Sequence, residues 1–356
     1  MKNRHGLCMA LFWVMCVAPV HAQKSEGSGT IAPADRCAAI KKSVVDAGFV
    51  NKVTVTCDDK YGRVGGDTYP DHTLMTGITA TNEQVPVPAP GYASPVTLSP
   101  SRNSKPISID AALGVAVNGV PIYDYTSGGD NQLNEYDPQH DTLKNGELDI
   151  CGGHAGRGDD YHYHVLPNCM VDMMKNRKDP AAIIGWAFDG YPIYRNTNPD
   201  GSVIAAGKLD VCNAQPDSLF GMRYHTSVTP PYIIQCLDGN FDMSLATHVT
   251  GMKKPSRIGR GPPPGGVQNL KLVEDKDGVR TMTYDWQGKS YFYRYKPSSQ
   301  PNCWDFSEKS FTTNGEILND TYCRTGGYTG GGPGGPGGMG GGPGGMGGGA
   351  GMGAGG

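Results

Sequence analysis

Beyond its first two dozen positions the chain has no apolar run long enough to cross a membrane, since a spanning helix needs about 20 such residues. It also lacks an excess of basic charge. Its 31 Lys and Arg stand against 34 Asp and Glu, which excludes the electrostatic footprint of a nucleic-acid binder. There is no CxxC, GxSxG, HExxH, P-loop or dinucleotide fingerprint, so the commonest signatures of zinc ribbons, hydrolases, nucleotide enzymes and dehydrogenases are absent. Long amphipathic helical patterns are few. Glycine and proline recur throughout, with 53 and 27 copies.

The N-terminus reads as a secretory leader over 1–22. Lys2 and Arg4 precede an apolar run from Leu7 to Val20, and Val20-His21-Ala22 is a small-x-Ala cleavage site. Cleavage after Ala22 predicts a secreted or periplasmic chain. The mature chain would carry 29 basic against 34 acidic side chains, a formal net charge of −5. It would also keep eight of the ten cysteines. An even number in an exported chain predicts disulfides. Eight cysteines allow on the order of a hundred pairings, but their clustering favours sequential neighbours: Cys37–Cys57, Cys151–Cys169, Cys212–Cys236 and Cys303–Cys323. Each local loop of this size stabilises by about 3 kcal/mol in the chain-entropy view.

The chain also repeats itself. Gly114-Val-Ala-Val-Asn-Gly-Val-Pro-Ile-Tyr123 matches Gly185-Trp-Ala-Phe-Asp-Gly-Tyr-Pro-Ile-Tyr194. Gly146-Glu-Leu-Asp-Ile-Cys151 matches Gly207-Lys-Leu-Asp-Val-Cys212, and Tyr163-His164 with Cys169 match Tyr224-His225 with Cys236. Two units follow, 111–169 and 182–236, expected to pack about a pseudo-twofold. Each opens with a hairpin whose Asn118-Gly119 or Asp189-Gly190 pair suits a type I′ turn. Pro121 and Pro192 place the second arm at a sheet edge or bulge. The Leu-Asp-x-Cys and Tyr-His segments read as further short strands.

The predicted fold is mainly β: a compact, disulfide-stapled core of two degenerate repeats over 66–250, with small flanking modules. Residues 23–65 form a helix, capped by Asp35 and ended by Gly48, then a strand over Lys52–Cys57. Residues 251–266 are a linker. Residues 267–325 form a β module with a hairpin from Arg280–Tyr284 to Ser290–Tyr295. Residues 326–356, almost wholly Gly, Pro and Met, cannot bury a core and are expected to be disordered.

The chemistry concentrates in Cys151–Cys169, CGGHAGRGDDYHYHVLPNC. His162 and His164 are two apart, so a strand points both imidazoles one way. His154 lies in a Gly-rich turn that could fold it back. Three converging imidazoles are the ligand set of a transition-metal site; the bland alternative is a strand edge with exposed histidines. Unit 2 carries Gln215 for His154 and Arg223 for His162, and only His164 has a histidine counterpart, His225. That is the pattern of a duplicated scaffold with one working site. A pseudo-twofold could add His225 as a fourth ligand. Copper and zinc both fit imidazole donors, and Met170, Met173 and Met174 could favour copper or simply fill a core. Asp159, Asp160 and Asp189 are candidates to orient an imidazole N–H; the first two could also bind calcium, without EF-hand spacing. Asp149 recurs as Asp210 and reads as a turn residue. Tyr161 and Tyr163 should face away from the histidines, and His72 is a loop residue.

These residues resemble the bacterial YHYH-domain family, through Tyr161-His162-Tyr163-His164, Leu148-Asp149-x-Cys151-Gly-Gly-His154, Gly185-x-Ala-x-Asp189-Gly-x-Pro-Ile-Tyr194 and Pro70-Asp71-His72. The resemblance extends over about 57–245 and implies no activity of its own. Three functions stay open. The first is an exported copper- or zinc-binding protein. The second is a metal-dependent hydrolase or oxidase with an open three-histidine site. The third is a cell-surface or matrix module with structural histidines, whose tail contacts a polymer or partner.

Overall fold

The computed structural model describes residues 31–80, 84–109, 111–127, 136–156, 158–249, 251–252, 265–324 and 329–330. The leader, most of the 251–266 linker and nearly all of the tail lie outside these. Among the described residues no helix is long and apolar enough to cross a membrane.

Helix α1 (Pro33–Ala47) starts with Pro at its first position and stops at Gly48, whose φ of 93° is the left-handed conformation of a C-cap. Asp35 lies in the first turn rather than at the cap, which Ala32 occupies; there its charge still favours the helix dipole. A disulfide from Cys37 to Cys57 ties α1 to β1 (Thr54–Cys57). β1, β2 (Tyr61–Gly66) and β3 (Tyr92–Thr97) form an antiparallel three-stranded sheet. β4 (Arg102–Ile107) pairs later with β13 (Leu237–Gly239).

The two repeats build one eight-stranded sheet. Unit 1 supplies β5 (Gly114–Ala116), β6 (Pro121–Ile122), β7 (Gly153–Ala155) and β8 (Tyr161–Tyr163). Unit 2 supplies β9 (Gly185–Ala187), β10 (Pro192–Tyr194), β11 (Ala214–Asp217) and β12 (Gly221–His225). The order is β11-β12-β10-β9-β5-β6-β8-β7, a palindrome of equivalent strands. β5 and β9 pair antiparallel with Val115 opposite Trp186, its own counterpart, so the pseudo-twofold passes through that pair. Short α2 (Asn168–Met173) follows unit 1.

Three local expectations need correction. Within the Asn-Gly and Asp-Gly pairs only Gly119 and Gly190 have positive φ, and Ala116 and Ala187 accept from the glycine N–H while bonding Val120 and Tyr191. These are three-residue turns closed by a left-handed glycine, not type I′ pairs, and they leave Val117 and Phe188 buried. Pro121 and Pro192 open interior strands, where a first position needs no ladder N–H. The Leu-Asp-x-Cys segments are turns, because Asp149 and Asp210 take backbone N–H groups that a strand would have paired.

The C-terminal residues form an antiparallel meander: β15 (Gln268–Glu274), β16 (Arg280–Trp286), β17 (Lys289–Pro297), β18 (Cys303–Lys309) and β19 (Ile317–Cys323). Cys303 and Cys323 face each other across β18 and β19 and are bridged. The short pair β14 (Thr247–His248) and β20 (Thr329–Gly330) lies beside it in sequence. The meander is not a separate body. One continuous apolar cluster includes Ile40 of α1, Trp186 of the large sheet and Tyr293 of the meander. Arg324 donates to the carbonyls of Val87, Pro88, Gly158 and Asp159 at 2.6–2.8 Å.

Candidate metal centre

The hairpin of β7 and β8 places His154 directly opposite His162, and His164 follows two residues on, just past the end of β8. Alternation sends all three rings to one face. Their centroids form a nearly equilateral triangle, with sides of 4.9, 4.9 and 4.8 Å. One nitrogen from each ring lies within 4.8 Å of the others. His162 and His164 are buried and His154 is half-buried. The Cys151–Cys169 disulfide closes the segment at its base.

Glycine makes the approach possible. A Cβ on Gly153 would lie 2.4 Å from the His162 carbonyl oxygen, and one on Gly156 would lie 2.3 Å from His162 Cε1. Both contacts are too close for any side chain.

The hydrogen bonds decide which nitrogens face inward. His164 Nδ1 lies on the Asp124 carbonyl, and His154 Nδ1 is 3.1 Å from the Glu147 carbonyl. A carbonyl only accepts, so both Nδ1 atoms carry the proton and both Nε2 atoms carry a lone pair. Those two Nε2 atoms face each other at 3.1 Å. Burial first, then the neighbouring imidazoles, holds His164 well below its ordinary pKa. Burial and then His162 push His154 down to about 3. Both rings are therefore neutral near pH 7, and the close pair has no shared proton. His162 Nδ1 lies 3.5 Å from Asp160 Oδ2, and both groups are buried. Burial raises the Asp160 carboxyl, but His162 outweighs it and holds the acid below its usual range.

The opposite face of β8 is structural. Tyr161 donates to Asp149 at 2.9 Å, and Asp149 also accepts from the N–H groups of Met75, Cys151 and Gly153. Burial still pushes Asp149 up to about 6. Tyr163 accepts from Asn118 Nδ2 at 2.9 Å and meets His72 Nε2 at 2.6 Å. His72 thus stands behind the strand, also near the sulfurs of Cys151 and Cys169; those sulfurs are joined to each other and offer no thiolate.

Three of the sequence candidates are placed elsewhere. His225 does not join the cluster. The twofold runs between β5 and β9, so β8 and β12 are five strand spacings apart, about 24 Å at 4.8 Å each. Its Nδ1 faces the Arg195 carbonyl at 2.7 Å, and its Nε2 accepts from Gln215 and Arg223 at 2.9 and 3.0 Å. Asp189 belongs to unit 2 as well. It accepts from Tyr224 at 2.5 Å and from Gly239 N at 2.8 Å, the counterpart of Asn118 on Tyr163. Asp159 turns the chain at φ 53° and accepts from Met252 N at 3.2 Å, so its carboxylate serves the backbone. Only Asp160 stands beside an imidazole.

Three contributors went unread in the sequence. Tyr123 packs its ring 4.3 Å from that of His162; the Pro-Ile-Tyr repeat could have flagged it, since Tyr194 packs against His225 at 5.9 Å. The Asp124 and Glu147 carbonyls are backbone groups, for which a sequence holds no signal.

This architecture defines a class: a disulfide-stapled β protein in which a duplicated sheet carries a three-histidine cluster at one end. Residues 93–203 match the family model described as YHYH protein. The match covers all of unit 1 but stops before β11 and β12, so it is narrower than the motif resemblance. No curated protein matches the chain, and no solved structure matches it.

Proposed function

We propose that this is a metal-binding protein of an oxidising, exported compartment, holding one copper or zinc ion on Nε2 of His154, His162 and His164. The carrying observation is the pair of opposed lone pairs, His154 Nε2 and His164 Nε2, at 3.1 Å. Two such atoms repel unless a cation lies between them. Two metal–nitrogen bonds of about 2.0–2.1 Å at a tetrahedral angle bring the nitrogens to about 3.3 Å. Backbone carbonyls behind two rings and the Asp160 carboxylate beside the third are the usual partners that orient metal-binding imidazoles. Unit 2 supplies an internal control. There the same position of His225 receives N–H donors from Gln215 and the Arg223 cation. Unit 1 has histidines in both places, so an ion takes the part that Arg223 plays.

The test is metal content by plasma mass spectrometry on untagged protein. About one copper or zinc per chain, lost in His162→Ala, supports the reading. Absence of metal and no uptake on titration overturn it.

A second reading follows from the ligand count. With His225 elsewhere, three protein donors leave coordination incomplete, as in hydrolytic zinc sites. Metal-dependent hydrolysis of an activated ester, abolished by His162→Ala, would favour it. Equal rates with and without metal would dismiss it.

A further inference from the structure

Unit 2 has an open cleft of about 800 Å³ where unit 1 has its histidines. Its floor holds the two replacements, Gln215 and Arg223, together with Asn198 from the loop after β10. Lys208, the counterpart of Glu147, stands on the wall.

Both acids of this cleft accept from their own loops. Asp217 accepts from the N–H groups of Leu219 and Phe220 and from Arg223 at 2.7–2.9 Å. Asp200 accepts from the Ser202 N–H and hydroxyl at 2.9 and 2.7 Å. The cations keep donors in reserve. Arg223 spends Nε on His225, one bond from Nη1 on Asp217 and one from Nη2 on Asn198, and each terminal nitrogen has a second N–H. The Lys208 side chain is exposed and carries three donors. Above this donor-rich floor stand two large apolar side chains left in water, Val203 at 82% and Leu219 at 54% exposure.

We infer that the unit 2 cleft is a binding site for a small organic carboxylate with an apolar body. The carboxylate takes the spare N–H groups of Arg223 and Lys208, a pairing Arg suits by its planar fork. The body covers Val203 and Leu219, which removes apolar surface from water. A bare inorganic anion would leave that wall exposed, and a cation would meet the positive charges of Arg223 and Lys208. The duplicated scaffold thus recognises an ion in one half and an anion in the other.

The test is calorimetric titration of the full mature chain with hexanoate, with hexylammonium and inorganic phosphate run in parallel. Saturable low-millimolar binding of hexanoate is expected, as suits so small a ligand. It should weaken about tenfold or more in Arg223→Gln and about threefold in Lys208→Gln, and persist in His162→Ala. Lys208→Gln alters an exposed side chain, so it reports even if Arg223→Gln fails to fold. No saturable binding of hexanoate overturns the proposal. So does equal binding of hexylammonium, phosphate binding as tightly as hexanoate, or an unchanged affinity in Lys208→Gln. Loss of hexanoate binding in His162→Ala would place the ligand at the metal centre instead and also reject this site, while leaving the metal reading intact.

Discussion

The two halves of the large sheet share a backbone plan and solve one local problem differently. In both, a histidine at the end of the third-from-axis strand fixes Nδ1 on a carbonyl and turns Nε2 inward. In both, a tyrosine one residue earlier bonds the turn residue of the first hairpin, Asn118 or Asp189. In both, an aspartate ties the turn before the hairpin, Asp149 or Asp210. They part at two positions. Gln215 and Arg223 bring N–H donors and a permanent charge to His225, whereas His154 and His162 bring two more rings to His164. Two substitutions on a fixed frame separate a self-contained polar cluster from a three-histidine group that could hold a metal ion.

The sharpest way to break this contrast is to convert one half into the other. His154→Gln with His162→Arg should abolish metal content and make thermal stability indifferent to chelator. In the wild type, stripping an ion held at a thousand times its Kd removes about 4 kcal/mol, or about 10 °C of Tm, read by calorimetry with and without chelator. A converted protein that still loses Tm on chelation would show that the ion sits elsewhere.

Asp160→Asn comes next. Unit 2 has Gly221 at this position, so the carboxylate belongs to the three-histidine half alone. Its loss should weaken metal affinity by about 10–100-fold, measured by competition with a chromophoric chelator; an unchanged affinity would remove Asp160 from the site.

The pH dependence separates the halves by a different route. Burial pushes His225 down to about 4, against a weaker upward pull from the Arg195 carbonyl, with a smaller downward push from the Arg223 cation. In the unfolded chain the ring titrates near 6.5. As pH falls, the unfolded state therefore takes up this proton first. The stability held by neutral His225 is complete above about pH 6.5 and drains away as pH falls toward 4. His225→Gln should flatten the acid limb of a denaturation series by about 1–2 kcal/mol between pH 7 and 4.5, with metal content unchanged. An unaltered pH slope would mean His225 is protonated with its neighbours in place.

The tyrosines test the contrast through effects of similar size. Tyr224→Phe leaves the buried Asp189 carboxylate, already raised to about 6 mainly by burial, without its hydroxyl donor. It should cost about 2 kcal/mol, against about 1 kcal/mol for Tyr163→Phe, whose partners are neutral. Equal losses in urea melts would show that the Asn118 and Asp189 environments are equivalent.

Much of this was readable from residue order. The match between Gly114–Tyr123 and Gly185–Tyr194 identified two units, because a duplicated backbone keeps its turn glycines and strand residues. Cysteine clustering pointed to neighbouring pairs, and the structure joins those same neighbours, since short loops close easily. The two-residue spacing of His162 and His164 put both rings on one face. Turn type was not readable: the same Asn-Gly pair suits a two-residue or a three-residue turn, and the buried Val117 decides for the second.

By itself, then, the sequence determined a duplicated β scaffold, its disulfide neighbours, and one unit with three histidines against one with a single histidine. Only the tertiary structure decided that those units meet through β5 and β9, which leaves His164 and His225 at opposite ends of one sheet. The reason is physical. Strands associate through backbone hydrogen bonds that are nearly blind to side-chain identity, so alternation fixes which face a histidine occupies but not which edge becomes the axis.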